Sequence, residues 1–120
     1  ERKSDGEEED VGGKISPAVL YIRRNFNNKE AMRQERIAGV CGISISHLRA
    51  LFKRETGLSV QDFIIQTRLA KAAFLLRNTD NSIMRIAMES GFTQIACFNR
   101  MFLRTFGQSP SAFRKQNKTE

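Results

Sequence analysis

Two stretches of this 120-residue chain place basic and amide side chains on one side of a helix. In the first stretch the outward positions are Ser46, Arg49, Ala50, Lys53 and Arg54. In the second they are Gln94, Asn99, Arg100 and Arg104. Neither set contains an acidic residue, whereas a helix face that only meets solvent usually mixes both signs of charge. These groups can pair with and donate hydrogen bonds to a polyanion, which favours a nucleic acid as partner.

The sequence lacks the residue types for a metal site or a catalytic group. It has one histidine, His47, and two cysteines, Cys41 and Cys97, too few for a His- or Cys-rich metal site. The cysteines lie too far apart for a C-x-x-C redox motif, so we expect two reduced, partly buried thiols. No nucleophile–base pair can be assembled. We therefore predict no enzyme activity, no metal and no cofactor.

Charge divides the chain into two parts. The net charge is +7, but residues 1–13 hold six acidic and two basic side chains, so residues 14–120 carry the excess of basic groups. The acidic residues and the Gly12-Gly13 pair predict a flexible linker or lead over 1–13, ahead of a basic domain over 14–120. No run of 18 apolar residues could span a membrane, and no secretory signal is visible, which favours a cytoplasmic protein.

Helix signals follow one another from residue 14 onward, and strand signals are lacking. Ser16-Pro17 and Ser109-Pro110 each predict a helix start, because serine caps the helix and proline needs no N–H donor in the first turn. Ser59-x-x-Asp62 resembles a capping box before a long helix over about 60–77. Further helix starts are expected at Asn81 or Ser82 and at Thr93. The fold is therefore predicted to be all-α.

A repeat of about 50 residues runs through the helical part. The string Ile37-Ala38-x3-Gly42-Ile43-Ser44 recurs as Ile86-Ala87-x3-Gly91-Phe92-Thr93. After one inserted residue, Phe52 and Gly57 match Phe102 and Gly107. Each copy has a short helix, a glycine-containing turn of about four residues and a second amphipathic helix, which together predict a helix-turn-helix. The inner faces of the second helices are Leu48, Leu51 and Phe52, and Phe98, Met101, Phe102 and Phe106.

Residues from about 37 to 114 resemble the DNA-binding domain of the AraC/XylS family of bacterial transcription regulators. The first copy matches through Ile37-Ala38, Gly42, Ser44, His47-Leu48, Leu51-Phe52-Lys53, Gly57, Arg68, Ala72 and Leu75-Leu76. The second matches through Ile83, Ile86-Ala87, Gly91-Phe92, Phe98, Arg100, Phe102, Gly107, Ser109-Pro110 and Phe113-Arg114. The resemblance implies seven helices in two helix-turn-helix subdomains, about 16–58 and 81–116, joined by a shared helix over about 60–77.

The resemblance also implies the contact residues. The recognition helices, about 44–56 and 93–106, are expected in adjacent major-groove segments. The base-facing candidates are Ser46, Arg49, Ala50, Ile95, Ala96, Asn99 and Arg100. The phosphate candidates are Ser44, Lys53, Arg54, Thr93, Gln94 and Arg104. Arg49 is the leading base reader because a guanidinium can bond guanine O6 and N7 together. Leu103 stands where the family commonly has a basic residue.

The resemblance implies sequence-specific binding to double-stranded DNA as the output domain of a larger regulator, with RNA polymerase as a further partner. The fragment is expected to be monomeric and the full-length protein dimeric through another domain. Two alternatives stay open: a stand-alone short regulator of the same family, and a basic helical module that binds an acidic protein. RNA is disfavoured because eight of the nine phenylalanines fit inward positions, which leaves no exposed stacking platform.

Overall fold

The computed structural model describes residues 15–118, and within them the secondary structure is helical without a strand. The helices are α1 Ser16–Asn25, α2 Gln34–Cys41, α3 Ile45–Thr56, α4 Val60–Asn78, α5 Ile83–Glu89, α6 Ile95–Phe106 and α7 Pro110–Asn117. The all-α class with seven helices is confirmed over the described range. The chain divides into two compact units between Ile65 and Gln66, inside α4. The predicted acidic linker over 1–13 lies outside the described residues.

Serine hydroxyls start four of these helices. The Oγ atoms of Ser44, Ser59, Ser82 and Ser109 each accept a hydrogen bond from the backbone N–H three residues later, at 3.0–3.1 Å. Such a bond satisfies one of the donors that the first turn leaves without an intrahelical partner. The predicted starts of α4 and α7 are confirmed, and Ser82 rather than Asn81 caps α5.

Two predicted helix caps are wrong. Thr93 does not cap α6, since the N-cap is Gln94, which makes no side-chain cap hydrogen bond, and the helix begins at Ile95. Ser16 does not cap α1, since the N-cap is Ile15, whose carbonyl accepts the N–H of Val19 at 3.0 Å. Ile15 is buried and packs in the core of the first unit. Pro17 still lies in the first turn, where its missing N–H costs no hydrogen bond.

Glycines in the left-handed region end the first helix of each repeat. Gly42 has φ of 69° and Gly91 has φ of 102°, values that a residue with a Cβ adopts only with strain. The next N–H in each copy bonds back into the helix, Ile43 to the Ala38 carbonyl and Phe92 to the Ala87 carbonyl. The turns differ in length, because three residues separate α2 from α3 and five separate α5 from α6. Both lengths are within one residue of the predicted length of about four.

The core of the first unit lies among α1, α2, α3 and the start of α4. Its buried members are Ile15, Ala18, Val19, Ile22, Ala31, Met32, Ile37, Ala38, Leu48, Leu51, Phe52, Val60 and Ile64. The rings of Phe52 and Phe63 meet edge to face with centroids 5.3 Å apart. An aromatic pair of this kind adds roughly 0.5–1.5 kcal/mol beyond the area that it buries. The predicted inner face of α3 is confirmed, and that packing directs the opposite face of the helix outward.

Phenylalanines dominate the core of the second unit. The ring of Phe102 lies 5.6 Å from Phe98, 4.4 Å from Phe106 and 5.3 Å from Phe113, and Phe92 packs on Phe98 at 5.2 Å. These contacts join α6 to α7 and to the turn before α6. Eight of the chain's nine phenylalanines are buried or partly buried, as expected, and Phe74 is the exposed one.

The guanidinium of Arg114 fixes the end of the second unit. It donates to three backbone carbonyls, those of Leu76, Thr79 and Asn81, at 3.2, 3.1 and 2.8 Å. Lys118 donates to the carbonyl of Thr79 and pairs with the carboxylate of Asp80. Together these bonds tie α7 to the end of α4 and to the loop that leads into α5.

Candidate nucleic-acid interface

The outward face of α3 carries the predicted contact residues of the first unit. Ser46, Arg49, Ala50, Lys53 and Arg54 are all exposed, and Ser44 precedes them as the N-cap. Leu48, Leu51 and Phe52 occupy the opposite face and are at most 2% exposed. The packing that buries one face therefore presents the other as a stripe of one hydroxyl, one methyl and three cations. Whether each residue contacts DNA stays a prediction.

The three cations of α3 differ in their surroundings. Arg49 donates from Nε to Gln34 Oε1 at 2.8 Å, a bond from α3 to the first residue of α2. Arg54 pairs with the neighbouring Glu55 at 3.1 Å, which offsets part of its charge. Within residues 15–118, the side-chain ammonium of Lys53 makes no hydrogen bond or ion pair. Lys53 therefore keeps all three of its N–H donors for an external anion.

In the second unit the predicted residues are exposed, with one exception. Thr93 and Gln94 lie in the turn before α6, and Ala96, Asn99, Arg100 and Arg104 lie on the exposed face of the helix. The exception is Ile95, whose side chain is partly buried. The recognition helix predicted over 93–106 is observed as Ile95–Phe106, so Thr93 and Gln94 are turn residues.

A shallow groove lies beside the exposed face of α6. Its volume is about 580 Å³, and it runs between this face and the starts of α5 and α7. Its lining residues are Ile83, Met84, Ile95, Asn99, Arg100, Leu103, Ser109, Pro110 and Ser111. Met84 and Leu103 are more than half-exposed, so the second unit presents more apolar surface here than its repeat partner does.

The two repeats differ at some of the positions that are predicted to meet DNA. At a shift of 50 residues, Arg49 corresponds to Asn99 and Lys53 corresponds to Leu103, which is 53% exposed. The α3 face therefore carries cations at two positions where the α6 face has an amide and an aliphatic side chain. At a third position the difference is reversed, because Arg100 on α6 corresponds to Ala50 on α3. The two faces therefore carry their cations at different places.

Burial lowers the pKa of the Arg68 guanidinium on α4. Gln34 accepts a hydrogen bond from Arg49, the leading candidate for base reading, and nothing in the sequence indicates this contact. A contact across 15 positions depends on how α2 packs on α3, and a neutral amide at the start of a helix carries no motif of its own.

Within 15–118 there is no group of three His, Cys, Asp or Glu side chains that could hold a metal ion. Cys41 and Cys97 are free and partly buried, as expected, and burial raises the pKa of the Cys41 thiol. In the same range, no helix is both long enough and apolar enough to cross a membrane.

Several known proteins are similar to this chain in sequence. The family model described as "Helix-turn-helix domain" matches residues 37–116. The chain is 36% identical over 86 residues to the Msm operon regulatory protein of Streptococcus mutans, covering 72% of this chain and 31% of that protein. It is 30% identical over 101 residues to the probable transcription factor PqrA of Proteus vulgaris, covering 84% and 83%. The chain thus spans about a third of one relative and most of the other.

A solved structure has the same fold. The C-terminal domain of AraT, a response regulator from Geobacillus stearothermophilus, superimposes with a TM-score of 0.84 at 26% identity, covering 93% of this chain and 92% of that one. The matched relatives are named as regulators or transcription factors, which agrees with the helix-turn-helix geometry in both units. The chain belongs to the AraC/XylS family of helix-turn-helix transcription regulators.

Proposed function

We propose that this chain binds a specific sequence of double-stranded DNA, with α3 and α6 entering adjacent major-groove segments. The observation that carries the proposal is the stripe on α3, where Arg49, Lys53 and Arg54 are exposed on the face opposite a buried apolar one. A guanidinium, an ammonium and short side chains at this spacing suit base edges and the flanking phosphates.

In this proposal the residues divide by role. Ser46, Arg49 and Ala50 on α3 face base edges, and Ile95, Ala96, Asn99 and Arg100 do so on α6, where the apolar members meet thymine methyl groups. The phosphate contacts fall to Ser44, Lys53, Arg54, Thr93, Gln94 and Arg104. Ser44 retains its hydroxyl proton for this purpose, since in the cap it only accepts a hydrogen bond.

The chain is proposed to act as the output domain of a cytoplasmic regulator that dimerises through another domain and contacts RNA polymerase. It needs no cofactor and catalyses no reaction in this role. The competing function, a basic module for an acidic protein, predicts equal affinity for all duplexes, because charge alone carries no base sequence. A stand-alone regulator of the same family would show the same DNA contacts.

Selection from a pool of random duplexes, followed by fluorescence anisotropy on the selected site, tests the proposal. We expect one enriched sequence. The plot of log affinity against log salt concentration should have a slope of about −5, as about six phosphate contacts would give. A pool that shows no enrichment, with equal affinity for all members, would contradict sequence-specific binding and favour the acidic-partner module.

Substitutions on α3 separate the two kinds of contact. Arg49→Ala should cost about 1–3 kcal/mol on the selected site and relax the preference at one base pair. Lys53→Ala should weaken all duplexes alike and make the salt slope shallower by about 0.9. Equal losses on specific and random DNA for both variants would show that Arg49 contacts phosphate instead of a base.

A further inference from the structure

The bond between Arg49 and Gln34 determines which edge of the guanidinium is free. Arginine has one N–H on Nε and two on each Nη. Gln34 Oε1 accepts the Nε proton at 2.8 Å, so the donors left for an external acceptor are those on the two Nη atoms. A pair of Nη donors matches the O6 and N7 acceptors of guanine. A side-on contact with DNA would need the Nε proton, which Arg49 already donates to Gln34.

We propose that Gln34 is a positioning residue for base reading, which holds Arg49 by Nε and thereby directs its Nη edge to the DNA. The inference rests on the proposed function, because it concerns how the same α3 face selects sequence. Gln34 itself need not touch a base. By restricting the arginine before DNA arrives, it reduces the conformational freedom that binding would otherwise remove.

The charges around Gln34 explain why an amide suits this position. The neighbouring carboxylates are engaged with other arginines, since Glu30 lies 3.8 Å from Arg33 Nε and Glu35 lies 3.4 Å from Arg33 Nη2. A backbone hydrogen bond and the Arg33 guanidinium hold the pKa of the Glu35 carboxyl below its usual value. The neutral acceptor of Gln34 orients Arg49 without neutralising it, so its whole charge remains available to a polyanion.

The second unit lacks this arrangement. The first residue of α5 is Ile83 where α2 begins with Gln34, and the fifth residue of α6 is Asn99 where α3 has Arg49. An isoleucine side chain cannot accept a hydrogen bond. We therefore expect an oriented arginine to discriminate between base pairs in the part of the DNA site that the first unit contacts.

The experiment compares wild type with Gln34→Leu, Gln34→Glu and Arg49→Ala on the selected duplex and on its single-base-pair variants. Gln34→Leu should lower discrimination at the base pair read by Arg49 about tenfold, because a hydrogen bond to a charged group is lost, and leave the salt slope unchanged. Gln34→Glu should keep that discrimination and weaken all duplexes, because the acceptor stays but a negative charge is added. The matched control is Gln61→Leu in the first turn of α4, since the exposed side-chain amide of Gln61 makes no hydrogen bond in the described range. This variant should change neither quantity.

Nitrogen-15 NMR of the free protein tests the bond without DNA. The Arg49 Nε proton should exchange with water more slowly in wild type than in Gln34→Leu. Unchanged exchange, or unchanged discrimination in Gln34→Leu while Arg49→Ala relaxes it, would overturn the positioning role and leave the proposed function intact. If wild type shows no preferred duplex, the proposed function fails, and the exchange measurement still decides whether the bond exists.

Discussion

The hydroxyl of Ser90 is the buried side-chain oxygen without a hydrogen-bond partner in the described part of the chain. Ser90 is fully buried at the C-cap of α5, and its backbone N–H bonds to the Ile86 carbonyl at 2.9 Å. Leaving a buried hydroxyl without a partner costs free energy, since the group loses water and gains nothing in return. The repeat places Cys41, a side chain that needs no strong hydrogen bond, at the corresponding position.

Replacing this hydroxyl should stabilise the protein. Ser90→Ala is expected to raise the free energy of unfolding by about 1 kcal/mol, because it removes the desolvation cost of the unpaired oxygen. The matched control is Ser109→Ala, which should lower it by about 1 kcal/mol, because the Ser109 hydroxyl caps α7. Urea denaturation of both variants measures the two changes. A loss of stability in Ser90→Ala would mean that the hydroxyl is paired in solution.

Helix starts show what the sequence can and cannot predict. The serine signals predicted the starts of α4, α5 and α7, because the hydrogen bond from a backbone N–H to a capping hydroxyl is a local interaction. The prediction that Thr93 caps α6 failed because one residue is inserted here relative to the first repeat, so Gln94 takes the position that Ser44 has before α3. The Arg49–Gln34 bond could not be predicted either, because it depends on the packing of two helices.

Arg114 links α7 to the end of α4 and to the loop that follows it. Arg114→Met should lower the free energy of unfolding by about 3 kcal/mol, because three hydrogen bonds from a charged, partly buried donor are lost. The neighbouring Lys115 is exposed, so Lys115→Met serves as the matched control and should change stability little. Thermal unfolding followed by circular dichroism measures both. Equal, small effects in the two variants would contradict the linking role of Arg114.

The ion pair between Lys118 and Asp80 also joins the end of α7 to the loop after α4, and its contribution to stability depends on pH. Hydrogen bonding and attraction from Lys118 hold the pKa of the Asp80 carboxyl below its usual value. A group whose pKa is lowered by folding contributes stability above its unfolded pKa and loses that contribution as the pH falls through the folded one. Lys118→Ala should therefore raise the pKa of Asp80, as measured by NMR titration. The difference in melting temperature between this variant and wild type should shrink in acid.

That expectation has an internal check. Lys118 also donates to the Thr79 carbonyl, a hydrogen bond that does not titrate with Asp80. A small, pH-independent difference in melting temperature should therefore persist below the pKa of Asp80. If the full difference persisted in acid, the carboxylate would contribute nothing to the link.

Lys53 on α3 has no cationic counterpart on α6, where Leu103 occupies the equivalent position. The effect of this difference can be tested by adding the missing cation to α6. Leu103→Lys restores on α6 the cation that Lys53 provides on α3, and Leu103 is exposed, so the change disturbs no core packing. Under the proposed function, this variant should bind all duplexes more tightly and steepen the salt slope by about 0.9, because one more phosphate is neutralised. Fluorescence anisotropy at several salt concentrations measures the slope.

The control for this variant adds the same positive charge at a different position in the protein. Leu20→Lys adds the same cation on α1, at a leucine of similar exposure outside both candidate recognition helices. It should alter the salt slope less than Leu103→Lys does. Equal effects would mean that net charge alone, and not a contact from α6, governs affinity.

The hydrogen bond from Arg49 to Gln34 also has a consequence for how such regulators diverge. Gln34 belongs to α2, outside the helix proposed to meet the bases. A mutation there could retarget a regulator to new operators while every DNA-facing side chain stays the same. Attempts to infer a binding code by aligning recognition helices alone would then overlook one of the positions under selection.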